Sequence, residues 1–225
     1  MLVGMSGSRS YRQQCGLARA LDVLGERWTM LIVRELAMGP RRYKDLLESL
    51  SGIGTNMLAA RLKTLEAAHV IRPVLLPPPA SARAYELTDY GEQLQSILSQ
   101  LALWGYRLPL PVADNAEARA SWALMAMAAM AKPEDVAALN ATIEIRVDDE
   151  VMAVTADDTG ARVSSGAEIG PDLTIDTDLQ TFGALAEGRL SPSQSLKNKA
   201  VVVHGDRKLF TKFFNVFRIR QQSAA

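Results

Sequence analysis

A single cysteine, Cys15, stands in this chain of 225 residues, so an internal disulfide framework is excluded. That scarcity suits a reducing cytoplasm. Histidine is nearly as rare: His69 and His204 are the only two, too few for a histidine-based metal site. A Ser-His-Asp triad built on either one is unsupported. Asp148-Asp149-Glu150 and Asp157-Asp158 lack the ligand spacing of a calcium loop and are expected to be solvated turn residues. No enzyme signature survives, and no cofactor or metal is expected. No apolar run reaches the roughly 20 residues that a bilayer span needs. The opening stretch MLVGMSGSRSYRQQ has neither a basic start nor a long apolar core, so no secretory signal is read and a cytoplasmic protein is expected.

Net charge is also missing, with 25 Lys and Arg against 25 Asp and Glu, but the balance is uneven along the chain. Residues 1–107 carry 13 basic against 9 acidic groups, a net of +4, and residues 108–225 carry 12 against 16, a net of −4. A basic half can meet a polyanion while an acidic half does not. A hydrophobic content of 48% is enough for one large core or two modest ones.

The periodicity predicts an α+β protein in two parts. Pro109 and Pro111, two positions apart, cannot both lie inside a helix, so the stretch around Gly105–Asn115 reads as an extended connector. Domains are accordingly expected over residues 1–107 and 116–225, with a linker at 108–115. In the first part, Leu17, Leu21 and Leu24 share one helical face, and helices follow over Trp28–Leu36 and Tyr43–Leu50. Leu58, Leu62 and Leu65 repeat at i, i+4 and i+7. Val70–Leu75 and Ala84–Leu87 are strands of a hairpin with a proline-stiffened tip. Thr88 caps a final helix that carries Tyr90, Leu94, Ile97, Leu98, Leu101 and Trp104 on one apolar face. In the second part, a helix over residues 116–131 precedes strands at Thr142–Val147, Val151–Thr155, Arg162–Ser164 and Leu173–Ile175. Helix Leu179–Ala186, strand Val201–Val203 and helix Arg207–Arg218 complete the pattern.

The stretch Gly52-Ile53-Gly54-Thr55-Asn56-Met57 looks at first like a phosphate loop. A dinucleotide loop needs three spaced glycines after a strand. Here Met57 occupies the third place, the preceding element is helical, and no G-K-[ST] follows. A helix-turn-helix fits every residue instead. The glycines permit the tight turn, Ile53 plugs the gap between two helices, and Leu58, Leu62 and Leu65 face inward. The outer face then shows Thr55, Asn56, Ala59, Ala60 and Lys63. Asparagine can pair bidentately with adenine, and threonine or alanine can touch a thymine methyl. Arg42, Lys44, Arg61, Arg72 and Arg83 add positive charge on and around that helix and on the hairpin. The competing reading is an exposed helix of an ordinary bundle.

Cys15, Gly25-Glu26-Arg27-Trp28-Thr29, Ile32-Val33-Arg34-Glu35-Leu36, Gly39-Pro40-Arg41-Arg42-Tyr43, Gly52-Ile53, Arg61-Leu62-Lys63-Thr64-Leu65-Glu66 and Tyr85-Glu86-Leu87-Thr88 closely resemble the HxlR-type winged helix-turn-helix family, over residues 15–104. The resemblance implies a dimeric bacterial transcription regulator whose recognition helix and wing bind double-stranded DNA and whose first and last helices form the dimer. Three departures stand out. Gly16 replaces the proline usual after the cysteine. Gly54 replaces the usual capping serine, leaving Thr55 as the expected cap. His69-Val70 replaces a Gly-hydrophobic pair before the wing. Some members of the family sense oxidants through a cysteine at the position of Cys15. A sensor needs a lowered thiol pKa and solvent access, and the alternative, a small buried core residue, is the expected one here.

Residues 171–178 (PDLTIDTD), 182–192 (FGALAEGRLSP) and 201–206 (VVVHGD) resemble the sterol carrier protein type-2 family, over about residues 117–220. That resemblance implies a curved mixed sheet with helices on one side and an apolar tunnel for lipid or acyl chains. Trp122, Met125, Phe182, Leu185, Phe210, Phe213 and Phe214 are the candidate tunnel residues, with simple core as the other reading. The expected function is that of a homodimeric regulator on a palindromic operator, modulated by an apolar small molecule or lipid. The alternative is a hydrophobic-ligand carrier whose N-terminal half serves only dimerisation.

Overall fold

A computed structural model of the chain describes residues 10–78, 80–108 and 116–219. Its residues form two compact units that divide between Leu98 and Ser99. The expected connector lies outside the described residues from Pro109 to Asn115. From Gly105 to Leu108 the chain is turned, not extended: Arg107 N–H donates to the Trp104 carbonyl and Leu108 N–H to that of Gly105, both at 3.1 Å.

The first unit opens with helices α1 (Gly16–Leu24) and α2 (Thr29–Leu36), then a two-residue strand β1 (Arg41–Arg42) and helix α3 (Tyr43–Ser49). Helix α4 (Thr55–Ala67) follows the turn Leu50–Gly54, and strands β2 (Ile71–Leu75) and β3 (Arg83–Leu87) form an antiparallel hairpin. Strand β1, which is too short to leave a periodic trace in the sequence, pairs with β3 through Arg41 opposite Tyr85. Ile53 is buried, and Leu58, Leu62 and Leu65 of α4 are more deeply so, at 1% exposure or less. They join Ile32, Val33, Leu36 and Leu46 in one core. The cap of α4 is Gly54 and not Thr55, which is the first helical residue. Gly54 has the extended backbone a cap requires but, having no side chain, offers no oxygen to the first-turn N–H groups.

The end of α4 explains the third departure in the sequence. Val70 N–H donates to Leu65 O and His69 N–H to Glu66 O, both at 2.9 Å, the paired bonds of a Schellman stop. The geometry puts His69 at φ +56°, the left-handed region where a Cβ is strained. Replacing exposed His69 with glycine relieves that strain, partly offset by glycine's extra entropy in the unfolded chain. His69→Gly is expected to stabilise the first unit by about 0.5–1 kcal/mol, read as a higher urea midpoint at constant slope. A lower midpoint would mean that the imidazole contributes more than its backbone costs.

Thr88 caps the next helix as expected, its hydroxyl accepting from Gly91 N–H at 3.0 Å. The single helix read from the sequence is two, α5 (Asp89–Glu92) and α6 (Leu94–Gly105), separated at Gln93. No residue of α6 is fully buried, and Ile97, Leu101 and Trp104 are each about half exposed.

The second unit contains helices α7 (Ala120–Met130) and α8 (Pro133–Ala137), then strands β4 (Ala141–Val147), β5 (Glu150–Asp157), β6 (Gly160–Ser165) and β7 (Leu173–Thr177). Helices α9 (Leu179–Ala186) and α10 (Pro192–Lys197), strand β8 (Val202–Gly205) and helix α11 (Arg207–Val216) complete it. The strands form one sheet in the order β6-β5-β4-β7-β8, mixed because β4 and β7 are parallel while the other pairs are antiparallel. Ile143, Ile145 and Val147 of β4 point into the core with Phe182, Phe210, Phe213, Phe214 and Phe217. Phe214 stands edge-on to Phe182, Phe210 and Phe213, with centroids 6.2, 5.3 and 5.0 Å away.

The opposite sheet face is polar. Glu144, only 2% exposed, accepts from Arg146 Nε at 2.8 Å and from the main-chain N–H of Glu168 in the β6–β7 crossover at 2.8 Å. Two of the acidic groups read as solvated turn residues are structural instead. The Glu150 carboxylate accepts from Ala120 N–H at 2.9 Å and from the Ser121 hydroxyl at 2.6 Å, closing the open first turn of α7 from across the unit. Asp148 accepts from Leu179 N–H at 3.1 Å at the start of α9.

Candidate nucleic-acid interface

Helices α3 and α4 with the turn Leu50–Gly54 form the helix-turn-helix, and the β2–β3 hairpin stands after it as a wing. At about 100° per residue, the face of α4 opposite Leu58, Leu62 and Leu65 is centred on Asn56, Ala60 and Lys63. All three are exposed, as are the neighbouring Thr55 and Ala59. The centre of that face is a methyl group, so a surface can approach the helix backbone closely. Asn56 offers a donor and an acceptor there, and Lys63 a charge one helical turn beyond Ala60.

The cations expected around this face differ in how free they are. Arg83 is exposed at the outer end of the wing, opposite Leu75, with no ionic partner among the described residues. Arg72, on the other strand, has its guanidinium 2.7 Å from Glu86 directly across the ladder, and the hydrogen bond to Glu86, then the negative charges of Glu86, Asp89 and Glu92, raise its pKa. Its charge is therefore largely answered within the wing. Lys44 pairs loosely with Glu48 at 3.4 Å and stays 82% exposed. Arg42 leans on Asp45, whose carboxylate also accepts the Arg42 N–H at 3.1 Å. Arg61 departs from the outer face altogether: its side chain is 16% exposed and bonds Glu26 at 2.8 Å. The physical reason is position, because Arg61 falls on the flank of α4 that meets the turn between α1 and α2.

Cys15 corrects another expectation. It is exposed, just before the first turn of α1, and main-chain N–H groups of Ala18 and then Leu17 lower its thiol pKa. A buried structural thiol is not what the fold contains.

Residues 23–109 match the family described as HxlR-like helix-turn-helix. The HTH-type transcriptional regulator YodB of Bacillus subtilis is 36% identical over 85 residues, which are 38% of this chain and 76% of YodB. The chain belongs to the HxlR-like helix-turn-helix family. A second relative, the uncharacterized HTH-type transcriptional regulator YvaP of the same organism, is 34% identical over 86 residues, 38% of this chain and 80% of that protein. Among solved structures, the reduced form of YodB covers 45% of this chain and 100% of its own, at 32% identity and a TM-score of 0.39. Residues 123–218 of this HxlR-like chain match a second family, described as SCP-2 sterol transfer.

In the SCP-2-like unit, the candidate ligand residues divide. Phe182, Leu185, Phe210, Phe213 and Phe214 are buried against one another at 2% exposure or less. Trp122 and Met125, on α7, are only partly buried, and the Arg119 guanidinium lies 5.6 Å from the indole centroid. Aromatic content flagged the cluster in the sequence, but whether rings touch each other or a guest depends on tertiary packing. The caps Asp148 and Glu150 were missed altogether, since their partners lie about thirty positions away and leave no local signal.

Proposed function

We propose that this HxlR-like chain is a cytoplasmic transcription regulator that binds a palindromic operator as a homodimer, with an apolar ligand of its SCP-2-like domain modulating that binding. The observation that carries the reading is the outward face of α4, where exposed Asn56 and Lys63 flank Ala60 beside a wing that ends in Arg83, which has no ionic partner among the described residues. Short side chains admit the helix to a major groove, asparagine reads an adenine edge, and the wing arginine reaches a phosphate.

A dimer follows from groove geometry, because two recognition helices reach successive major grooves about 34 Å apart. Support for it lies on α1 and the start of α6, where Leu17, Leu21 and Ile97 are exposed apolar residues. Between α1 and α5–α6 runs a groove of about 490 Å³ lined by Ala20, Val23, Leu24, Tyr90, Leu94 and Ile97. A second copy of the chain would bury such a surface. The SCP-2 match favours a second reading, a hydrophobic-ligand carrier whose N-terminal half only dimerises it. Salt separates the two, since a DNA reader releases counterions and a carrier has none to release.

The test is direct. Asn56→Ala is expected to relax base choice at one position of the operator by about 1–3 kcal/mol. Arg83→Ala is expected to weaken all sequences alike and to reduce the salt slope by about 1. Both are read by titrating labelled duplexes at several salt concentrations. Unchanged affinity and slope in both folded variants would remove the winged-helix reading and leave the carrier.

A further inference from the structure

Apolar packing fixes how deep a helix sits but is non-directional, so it tolerates small rolls about the helix axis. A recognition helix cannot tolerate them, because a base-edge hydrogen bond weakens steeply with angle. Directional side-chain bonds tie α4 to its neighbours in this molecule. At its first residue, the Tyr43 hydroxyl donates to the Thr55 carbonyl at 2.7 Å. Six residues on, Arg61 donates from Nη2 to the Glu26 carboxylate at 2.8 Å and from Nε to the Arg27 carbonyl at 3.3 Å. At about 100° per residue, Thr55 and Arg61 lie roughly 120° apart, one on each side of the buried Leu58, Leu62 and Leu65.

The mount for Arg61 is itself rigid. Glu26 and Arg27 lead into Trp28, which is held at φ +78°, a strained conformation for a bulky residue that only surrounding structure can maintain. The Arg27 guanidinium lies 5.0 Å from the Trp28 ring centroid. The far edge of that indole is 3.8 Å from where a Cβ on Gly52 would sit, in the turn that feeds α4. One corner, Glu26–Trp28, therefore touches both the turn and the flank of α4.

We propose that Glu26 and Arg61, with Tyr43, are positioning residues for operator recognition: they set the roll of α4 and so the aim of Asn56, without touching DNA themselves. The proposal rests on the DNA-reading function above. It makes a prediction of unusual sign. Glu26 is an exposed negative charge close to the polyanion-binding face, so electrostatics alone says that removing it tightens DNA binding. If Glu26 aims the helix, removing it weakens operator binding instead.

The experiment uses the full chain and a duplex that the unaltered protein enriches from random sequence, with a scrambled duplex as reference. Glu26→Ala and Arg61→Met are each expected to lower operator affinity about tenfold while changing scrambled-duplex affinity less than about twofold. The double variant is expected to be no weaker than the poorer single one, and the salt slope to stay unchanged in all three. Tyr43→Phe is expected to lower the operator-to-scrambled ratio in the same direction. A merely structural defect reduces the active fraction and lowers both duplexes together. Arg61→Lys keeps the charge but not the two-donor fork, so it is expected to lose part of the discrimination, and it decides the matter if Arg61→Met does not fold. Equal or tighter operator binding by Glu26→Ala overturns the proposal. A flattened salt slope with equal loss on both duplexes for Arg61→Met also overturns it, by making Arg61 a phosphate contact. An unaltered protein that enriches no sequence defeats the DNA-reading function before any variant is made, and the positioning role with it.

Discussion

Gly91→Ala lowers the stability of the first unit by about 3 kcal/mol or more, with a fall in its melting temperature of about 10 °C or more. A Cβ on Gly91 would stand 2.0 Å from the Val70 carbonyl oxygen, 3.0 Å from its carbon and 3.3 Å from Leu87 Cδ2. The obstructing atom is main chain and cannot swing aside. It is also engaged, accepting from Thr88 N–H at 3.0 Å, while the Thr88 hydroxyl donates to the His69 carbonyl at 2.7 Å. Relief of the clash would have to draw the start of α5 away from the stop of α4 and the root of the wing, breaking these bonds together. Operator binding is expected to fall with stability, because the same bonds hold wing and recognition helix in one frame. Calorimetry on the full chain reads the effect, and a loss under about 1 kcal/mol would show that the α5 junction is softer than its close contacts require.

Phe214→Ala is expected to destabilise the second unit by about 3–5 kcal/mol. Its ring is 2% exposed and meets three other phenylalanines at edge-to-face distances. Truncation removes the ring's transfer energy and leaves a hole that neighbours anchored on α9 and α11 cannot fully close. The measured cost bears on the ligand reading. A ring that bordered an open, guest-sized space would have fewer partners to lose, so a cost near 1 kcal/mol would place a cavity beside Phe214. The larger cost would confine any apolar guest to another part of the unit, where Trp122 and Met125 retain accessible surface.

Elements with long, regular periods were legible without coordinates. The i, i+4, i+7 leucines of α4, the alternation in β4 and the run Leu179–Ala186 all describe one-sided burial, which is a property of the segment itself. Short elements were not. Helices α8 and α10 begin at Pro133 and Pro192, and proline at the first helical position starts a helix as readily as it ends one. The break at Gln93 between α5 and α6 has no proline to announce it, and Gly91 sits inside α5 and not at the break. In the candidate interface, the outward exposure of Asn56, Ala60 and Lys63 could be read from the helical wheel. The pairing of Arg61 with Glu26, thirty-five positions away, could not. The exposure of Cys15 belongs to the same class, since it depends on what packs over α1 and not on the cysteine's neighbours in sequence.

The buried carboxylate on the polar side of the second sheet has a consequence for how strands find one another. Strand β4 lies at the centre, with β5 on one side and β7 on the other, and Glu144 sits opposite Ala153 and Thr174. A slip of one residue turns every side chain of a strand to the other face. In β4 that slip would carry Glu144 and Arg146 together among the phenylalanines, away from the Glu168 N–H, and would expose Ile143, Ile145 and Val147. Burying two charged side chains in such surroundings costs several kcal/mol, so the native register is strongly favoured over its one-residue neighbours.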